Sequence, residues 1–578
     1  MITNRVKPRI LRREVCPEAE RSLSGLDALL RRIYAARGIR SPEDLDLAAG
    51  SLIPPERMDG VALAVDLLCQ CLTAKGRILV VGDYDADGAT GTALAVRGLR
   101  ALGFERVDYL APDRFRFGYG LSPGIVELAL SRSPDLILTV DNGVSSIDGV
   151  AVAKAAGVCV VITDHHLPGD RLPDADAIIN PNLDDAAFPS KALAGVGVVF
   201  YLLLALRARL RDSGWFDSSV RTEPNLGQFC DLVALGTVAD VVPLDRNNRI
   251  LVGQGLQRIR SGKGVAGIRA LLEAAGRDPA KATAADLGFA AAPRLNAAGR
   301  LDDMTLGIEC LLTDDPPDAR RLAERLDAFN RERRVIEVEM RREAEDVLDG
   351  LLRGNGDDWP FGVCLYGDAW HQGVVGIVAS RVKDRIHRPV IVFAPTGDGT
   401  LKGSGRSIDG LHMRDVLDSI AARHPGLIVR FGGHAMAAGV TLKDGDFDRF
   451  HCAFDEEVRE RLGEQGIEPT LHTDGELEPA RFNLETAWLL REAGPWGQRF
   501  PEPTFDGGFR VLGWRIVGEH HLKMQLRPVG SGPDVDAIGF HMAEWADRLE
   551  AEIRAVYRLE VNEFRGERNL QLQILHLE

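Results

Sequence analysis

Three aspartates, Asp83, Asp85 and Asp87, occupy alternate positions in the segment VVGDYDADGAT (residues 80–90), directly after an apolar run and just before Gly88. Two further apolar runs end the same way: LILTVDNG places Asp141 and Gly143, and VCVVITDHH places Asp164, His165 and His166. The helix-like segment CDLVALGTVADVV adds Asp231 and Asp240. Carboxylates gathered in one pocket repel strongly unless cations lie between them. Hard oxygen donors with one or two imidazoles suit Mn²⁺ or Mg²⁺ better than Zn²⁺, whose structural sites favour thiolates. Two such ions about 3.5–4 Å apart hold both the attacking and the leaving oxygen of a phosphodiester and activate a bridging water. Phosphodiester hydrolysis is the chemistry this donor set points to.

Any one of these motifs alone has a plainer explanation, because an aspartate after a strand commonly caps the next helix. Capping needs one aspartate per helix, however, and calls for neither DxDxD nor a DHH triplet. The acids must also be brought together by the elements that carry them. From Arg77 onward, short β-branched runs (RILVVG, VDYLAP, LILTV, VCVVIT, AIINP) alternate with stretches of helical period. That alternation indicates parallel strands with crossover helices, a doubly wound α/β sheet whose ligands bind beyond the carboxyl ends of the strands.

The remaining chain divides by pattern. Residues 1–75 read as a helical lead-in, 76–313 as the doubly wound domain, and 314–355 as one long charged helix that either bridges two domains or lies on the surface of a single large one. A second α/β domain follows at 356–468, and 469–578 reads as an all-β module, simplest as a small barrel. With 578 residues, 45% hydrophobic and 27% charged, the chain is an ordinary multidomain globular protein. Its eight cysteines lie mostly in apolar runs without a CxxC pair, which indicates buried free thiols. Residues MITNRVKPRILRREV carry no apolar signal core, and no apolar stretch is long enough to span a bilayer, so a cytoplasmic location without membrane contact is expected. A net charge of −15 counts against global attraction to nucleic acid and requires any DNA site to have a local basic lining.

The set DYDADG (83–88), DNG (141–143), DHH (164–166) and GTVADVVPL (236–244) resembles the four ordered motifs of the DHH phosphoesterases, and GGHAMAAG (432–439) resembles the signature of that family's companion DHHA1 domain. Within the family, PRLNAAGRL (293–301), KGSGRS (402–407) and the terminal β module are similar to the RecJ exonucleases, whose last domain is an oligonucleotide-binding (OB) barrel. The resemblance implies 5′-to-3′ digestion of single-stranded DNA with two Mn²⁺ or Mg²⁺ ions, in recombination and repair, alongside single-strand binding protein and a helicase, by a monomer. It makes Asp85, Asp87, Asp141, His165 and Asp240 metal ligands, with Asp83, Asp164 and His166 as ligands or the neighbours that orient them.

The same similarity assigns Arg114, Arg294, Asn296, Arg300, Ser404, Gly405 and Arg406 to the DNA backbone and its 5′ end, although each arginine singly could equally sit in a surface salt bridge. His434 either contacts the scissile phosphate or caps a turn. Trp514, Arg515, His520, His521, Lys523 and Arg527 give the terminal module the aromatic and basic mixture that single strands require. A lone Trp in a strand is more often core. His387, His424 and His451 carry no signal. Two rival functions stay open: an enzyme for short oligonucleotides or cyclic dinucleotides, which needs neither the β module nor the long helix, and a catalytically silent DNA-binding scaffold, against which the complete acid set argues.

Overall fold

The computed structural model describes residues 7–112, 117, 120–217, 221–354, 359–463, 468–530, 532–564 and 566–578. Its first strand, β1 (Arg9–Arg12), is followed by two short helices and by α1 (Val61–Thr73). The central sheet comprises β2 (Ile78–Gly82), β3 (Val107–Leu110), β4 (Leu136–Val140), β5 (Cys159–Thr163) and β6 (Ala177–Ile179). All its strands are parallel, in the order β3-β2-β4-β5-β6. β2 and β4 are buried at every position, which is why they read as unbroken apolar runs without alternation. The order reverses between β2 and β4, so the crevice of the sheet opens at the ends of these two strands.

Three helices pack behind that crevice: α2 (Ala86–Ala101), α3 (Gly195–Asp212) and α4 (Cys230–Ala239). α5 (Ala292–Leu301) follows a five-residue π-helical turn, Leu287–Ala291. The charged stretch after Thr313 forms α6 (Pro316–Gly354), 39 residues and about 58 Å long at 1.5 Å per residue. Its first half buries Ala319, Leu322, Ala323 and Leu326 in the core of the first unit, and its second half buries Met340, Ala344 and Leu348 in another core. It bridges two bodies, as the first of the two sequence readings holds.

The second α/β unit holds β7 (Val363–Tyr366), α7 (Val375–Ile386), β8 (Val390–Pro395), β9 (Thr400–Arg406), β10 (Arg430–Gly433) and β11 (Ala437–Lys443), in the sheet order β10-β11-β9-β8-β7. After β12 (Thr470–Thr473), a closed barrel is built from β13 (Phe505–Val517), β14 (His521–Pro528), β15 (Val535–Gly539), β16 (Glu552–Phe564) and β17 (Glu567–Leu577). Among the described residues, no helix is long and apolar enough to cross a membrane.

Two expectations change. The lead-in is not purely helical, because β1 pairs in parallel with β12, and Arg12 donates to the buried Asp506 of the barrel through Nε at 3.1 Å and Nη2 at 2.8 Å. Lead-in, first α/β unit and barrel share one continuous core, whereas the second α/β unit packs around its own. The cysteines are unpaired, but Cys16 and Cys452 are exposed instead of buried, Cys16 preceding a six-residue helix and Cys452 lying on the outward side of an amphipathic one.

Candidate active site

Hydrogen bonding of the parallel ladder itself lines up three of the acids. The Asp83 N–H donates to the Val140 carbonyl (3.2 Å), Asp141 to Thr163 (3.0 Å) and Asp164 to Ile179 (3.1 Å), each one residue past the end of its strand. Neighbouring strands lie about 4.8 Å apart, so the three side chains stand in a row above the sheet. Asp85 caps α2, accepting from the amides of Asp87 (2.9 Å) and Gly88 (3.0 Å). Asp87, fully inside, accepts from the first amides of α3, Gly195 at 2.6 Å and Val196 at 2.9 Å. Asp141 crowds the same helix start: a Cβ on Gly195 would lie 2.5 Å from that of Asp141.

His165 is the hub. Its Nε2 stands 3.0 Å from Asp141 Oδ1, 3.5 Å from Asp240 Oδ2 and 4.0 Å from Asp87 Oδ2. Three sets of donor atoms each fall within 4.8 Å of one another: Asp83, Asp85 and Asp141; Asp87, His165 and Asp240; Asp141, His165 and His166. Burial, followed by repulsion from Asp240, raises the carboxyl of Asp87, and burial with the Asp85 charge raises that of Asp240. Asp141 is pushed well above the ordinary carboxylate value by burial and then by Asp87, Asp85 and Asp83. Burial and then the charge of His166 lower His165, keeping it the neutral imidazole a metal ligand must be.

Asp164 plays a different part. Burial opposes its charge, but the hydrogen bond and charge of His166 prevail and hold it down at about 2. It accepts from the amides of Val144, His165 and His166 and from His166 Nδ1 at 2.7 Å. His166 is held up at about 9 by that pair against the effect of its own burial. His434, on the second α/β unit, reaches across the cleft to stack on His166, ring centroids 5.4 Å apart. The surrounding cleft and then the His166 charge push it down to about 4.

A second cluster of polar groups lies on the second unit. Arg406 is half-buried, burial lowers its pKa, and no carboxylate among the described residues pairs with it. Its Nη1 donates to Ser404 Oγ (3.0 Å) and to the Gly405 carbonyl (2.8 Å). A Cβ on Gly376, in the first turn of α7, would lie 2.8 Å from Arg406 Nη2 and 2.9 Å from Ser404 Oγ. A guanidinium without a paired carboxylate, beside a helix N-terminus, gives this corner a positive potential. Arg300 donates to the Gly373 carbonyl just before that helix (3.2 Å).

Other sequence candidates fall elsewhere. Asp231 sits at the opposite end of α4 from Asp240, about 13 Å away at 1.5 Å per residue, where it accepts from Val265 N–H at 2.6 Å. Arg294 is buried in an ion pair with Asp327 (2.7 Å), which satisfies its charge within the protein. Asn296 turns its amide oxygen to the Ala86 N–H of the acidic loop (2.8 Å) instead of to open cleft. Arg114 lies outside the described residues. In the barrel, Trp514 is not core: with Ile516 and Leu512 it is exposed on the half of β13 that extends past β16, at 48%. Arg527 and Lys523 are tied to Asp534 and Asp536.

Sequence reasoning missed Asn180 and Asn182, whose Nδ2 groups donate to the backbone carbonyls of His166 (2.8 Å) and His165 (2.6 Å). The polar NPN after the apolar AII run was the available signal. It also missed Phe289, 83% exposed on the π-helical turn, and Val241, exposed beside Asp240 with φ of 60°. A lone aromatic in an alanine-rich stretch gave no cue to exposure.

Three family models match the chain: the DHH family N-terminal domain at residues 77–237, the DHHA1 domain at 360–460 and the RecJ OB domain at 473–576. The single-stranded-DNA-specific exonuclease RecJ of Dickeya dadantii is 56% identical over 97% of this chain and 98% of its own length. The Escherichia coli protein of the same name is 55% identical over 98% of each. The crystal structure of RecJ from Thermus thermophilus in complex with Mn²⁺ superposes with a TM-score of 0.81 at 31% identity, covering all of this chain and 80% of that one.

Proposed function

The chain belongs to the RecJ family of single-stranded-DNA-specific exonucleases, and from that premise we propose that it hydrolyses single-stranded DNA from the 5′ end with two divalent ions, Mn²⁺ or Mg²⁺. The observation that carries this reading is one linked acid cluster: Asp87, Asp141 and Asp240 surround the neutral imidazole of His165, and Asp83 and Asp85 join them through Asp141. Five carboxylates and a neutral imidazole in one cluster make an oxygen-rich, thiolate-free donor set that fits hard divalent cations. Asp85, Asp87, Asp141, His165 and Asp240 would hold the ions, with Asp83 alongside. When bound, two such ions supply an activated water and neutralise charge that develops on the scissile phosphate.

The protein's own groups do the rest. Asn180 and Asn182 fix the backbone that carries the two histidines, and Asp164 orients the His166 ring and holds it charged by accepting from Nδ1–H. A charged His166, beside His434, would stabilise negative charge on the reacting phosphate. Because His434 rides on the second unit, the cleft is complete only when the two α/β units are held together. Ser404, Gly405, Arg406 and the first turn of α7 would take the terminal 5′-phosphate, which sets the direction of digestion. Arg300, beside them, would assist, and the barrel face around Trp514 would bind the trailing single strand. A cytoplasmic monomer working with single-strand binding protein and a helicase completes the reading.

End-labelled digestion tests it. A 5′-phosphorylated single strand should be degraded with Mn²⁺ and spared in chelator, while a blunt duplex of the same sequence survives. Equal digestion of both, or cleavage that ignores metal, would sink the proposal.

A further inference from the structure

The loop that carries Asp83, Asp85 and Asp87 has the cleft on one side and α5 on the other. Of the orphan amides that open α2, those of Asp87 and Gly88 are taken by the Asp85 carboxylate. The amide between the two acids, Ala86 N–H, is taken by Asn296 Oδ1 at 2.8 Å. One turn further along α5, a Cβ on Gly299 would lie 1.8 Å from the Tyr84 carbonyl oxygen, so helix and loop backbone touch where only a hydrogen fits. α5 is itself anchored on both sides of these contacts, by the Arg294–Asp327 ion pair on α6 and by the Arg300 hydrogen bond to Gly373 on the second unit.

We propose that Asn296 is a positioning residue: by holding the amide between Asp85 and Asp87 against a braced helix, it sets where both carboxylates point, and it does not contact DNA. The inference rests on the reading of the acid cluster as the divalent-ion site, and it replaces the backbone-phosphate role that the PRLNAAGRL motif suggests. The residue type fits. An asparagine oxygen accepts the N–H without adding a further negative charge to carboxylates already crowded together. Groups that orient ligands in this way typically affect metal affinity or activity 10- to 100-fold when removed.

Three variants separate the possibilities: Asn296→Leu, of similar volume without an acceptor; Asn296→Ala, which leaves a gap; and Asn296→Asp, which keeps the acceptor. Mn²⁺ alone is titrated calorimetrically into each metal-free protein, with folding checked by circular dichroism, and single-stranded DNA affinity is measured by anisotropy in chelator. The leucine and alanine variants should bind Mn²⁺ about 10- to 100-fold more weakly, with kcat reduced and both KM and metal-free DNA affinity unchanged. The aspartate variant should recover Mn²⁺ binding. If leucine prevents folding, the alanine variant carries the same comparison. Loss of DNA affinity with Mn²⁺ binding intact would overturn the proposal in favour of a DNA contact. A wild-type protein that binds Mn²⁺ yet leaves DNA uncut would instead sink the exonuclease reading, with the role of Asn296 in metal binding still standing.

Discussion

Replacing Asp141 by asparagine should stabilise the metal-free protein and abolish its response to Mn²⁺, two effects of opposite sign from one oxygen-to-nitrogen exchange. Asp141 is 2% exposed, and its donor oxygen lies within 4.8 Å of those of Asp83 and Asp85. At an effective dielectric of about 20, two unit charges at that separation repel by about 3.5 kcal/mol. The full figure is not realised, because burial and these neighbours already hold Asp141 well above the ordinary carboxylate value and a bound proton relieves part of the strain. A gain of about 1–2 kcal/mol at pH 8 is the expected remainder. The backbone does not oppose the change: Asp141 has φ of 62°, a left-handed conformation in which asparagine is among the most tolerated side chains. For a unit of 150–250 residues each kcal/mol moves Tm by about 2–4 °C. Scanning calorimetry at pH 8, in chelator and then in Mn²⁺, should show D141N melting higher than wild type in the first condition and failing to rise in the second. A variant that melts lower in chelator, or keeps the Mn²⁺ shift, would refute the account of the cluster as carboxylates forced together for a cation.

Other outcomes follow from the same geometry. Asp87 and Asp240 are raised in the folded state, so they stabilise it most below the ordinary carboxylate pKa of about 4 and that contribution is lost as pH climbs above it; chemical denaturation of the metal-free protein should show this decline, and Mn²⁺ should reverse it. Arg406→Ala should cut the preference for 5′-phosphate over 5′-hydroxyl ends by about 10- to 100-fold, from the 1.5–3 kcal/mol of a charged hydrogen bond, in competition digests of the two oligonucleotides. Trp514→Ala should weaken binding of long single strands by about 1–3 kcal/mol while leaving cleavage of a dinucleotide unaltered, a difference that anisotropy and product analysis would detect.

Much of this site is legible in the residues because the first α/β unit is regular. Apolar runs ending in Asp83, Asp141 and Asp164 announce both the strands and the crevice, since a parallel ladder leaves the next residue facing outward. What escaped depends on pairings between distant segments. Asp231 and Asp240 look alike as strings, yet a ten-residue helix puts its two ends on opposite sides of a domain. Arg294 reads as a free cation until Asp327, on a different helix, arrives beside it. Asn296 sits in a motif associated with substrate, and only the fold shows that its oxygen is spent on Ala86. For Trp514, burial depends on how far β13 outruns its neighbour β16, and periodicity within one strand does not encode that.

The shared interior of lead-in, first α/β unit and barrel means the terminal barrel is not a detachable accessory. Cutting the chain before β12 would strip β1 of its pairing partner, leave Arg12 and Arg37 without Asp506 and Asp474, and expose Tyr34 by removing Trp496 and Phe500, on which it stacks. A truncated enzyme would therefore fail by melting before it failed by losing its grip on DNA. The second α/β unit differs, since its interior is its own.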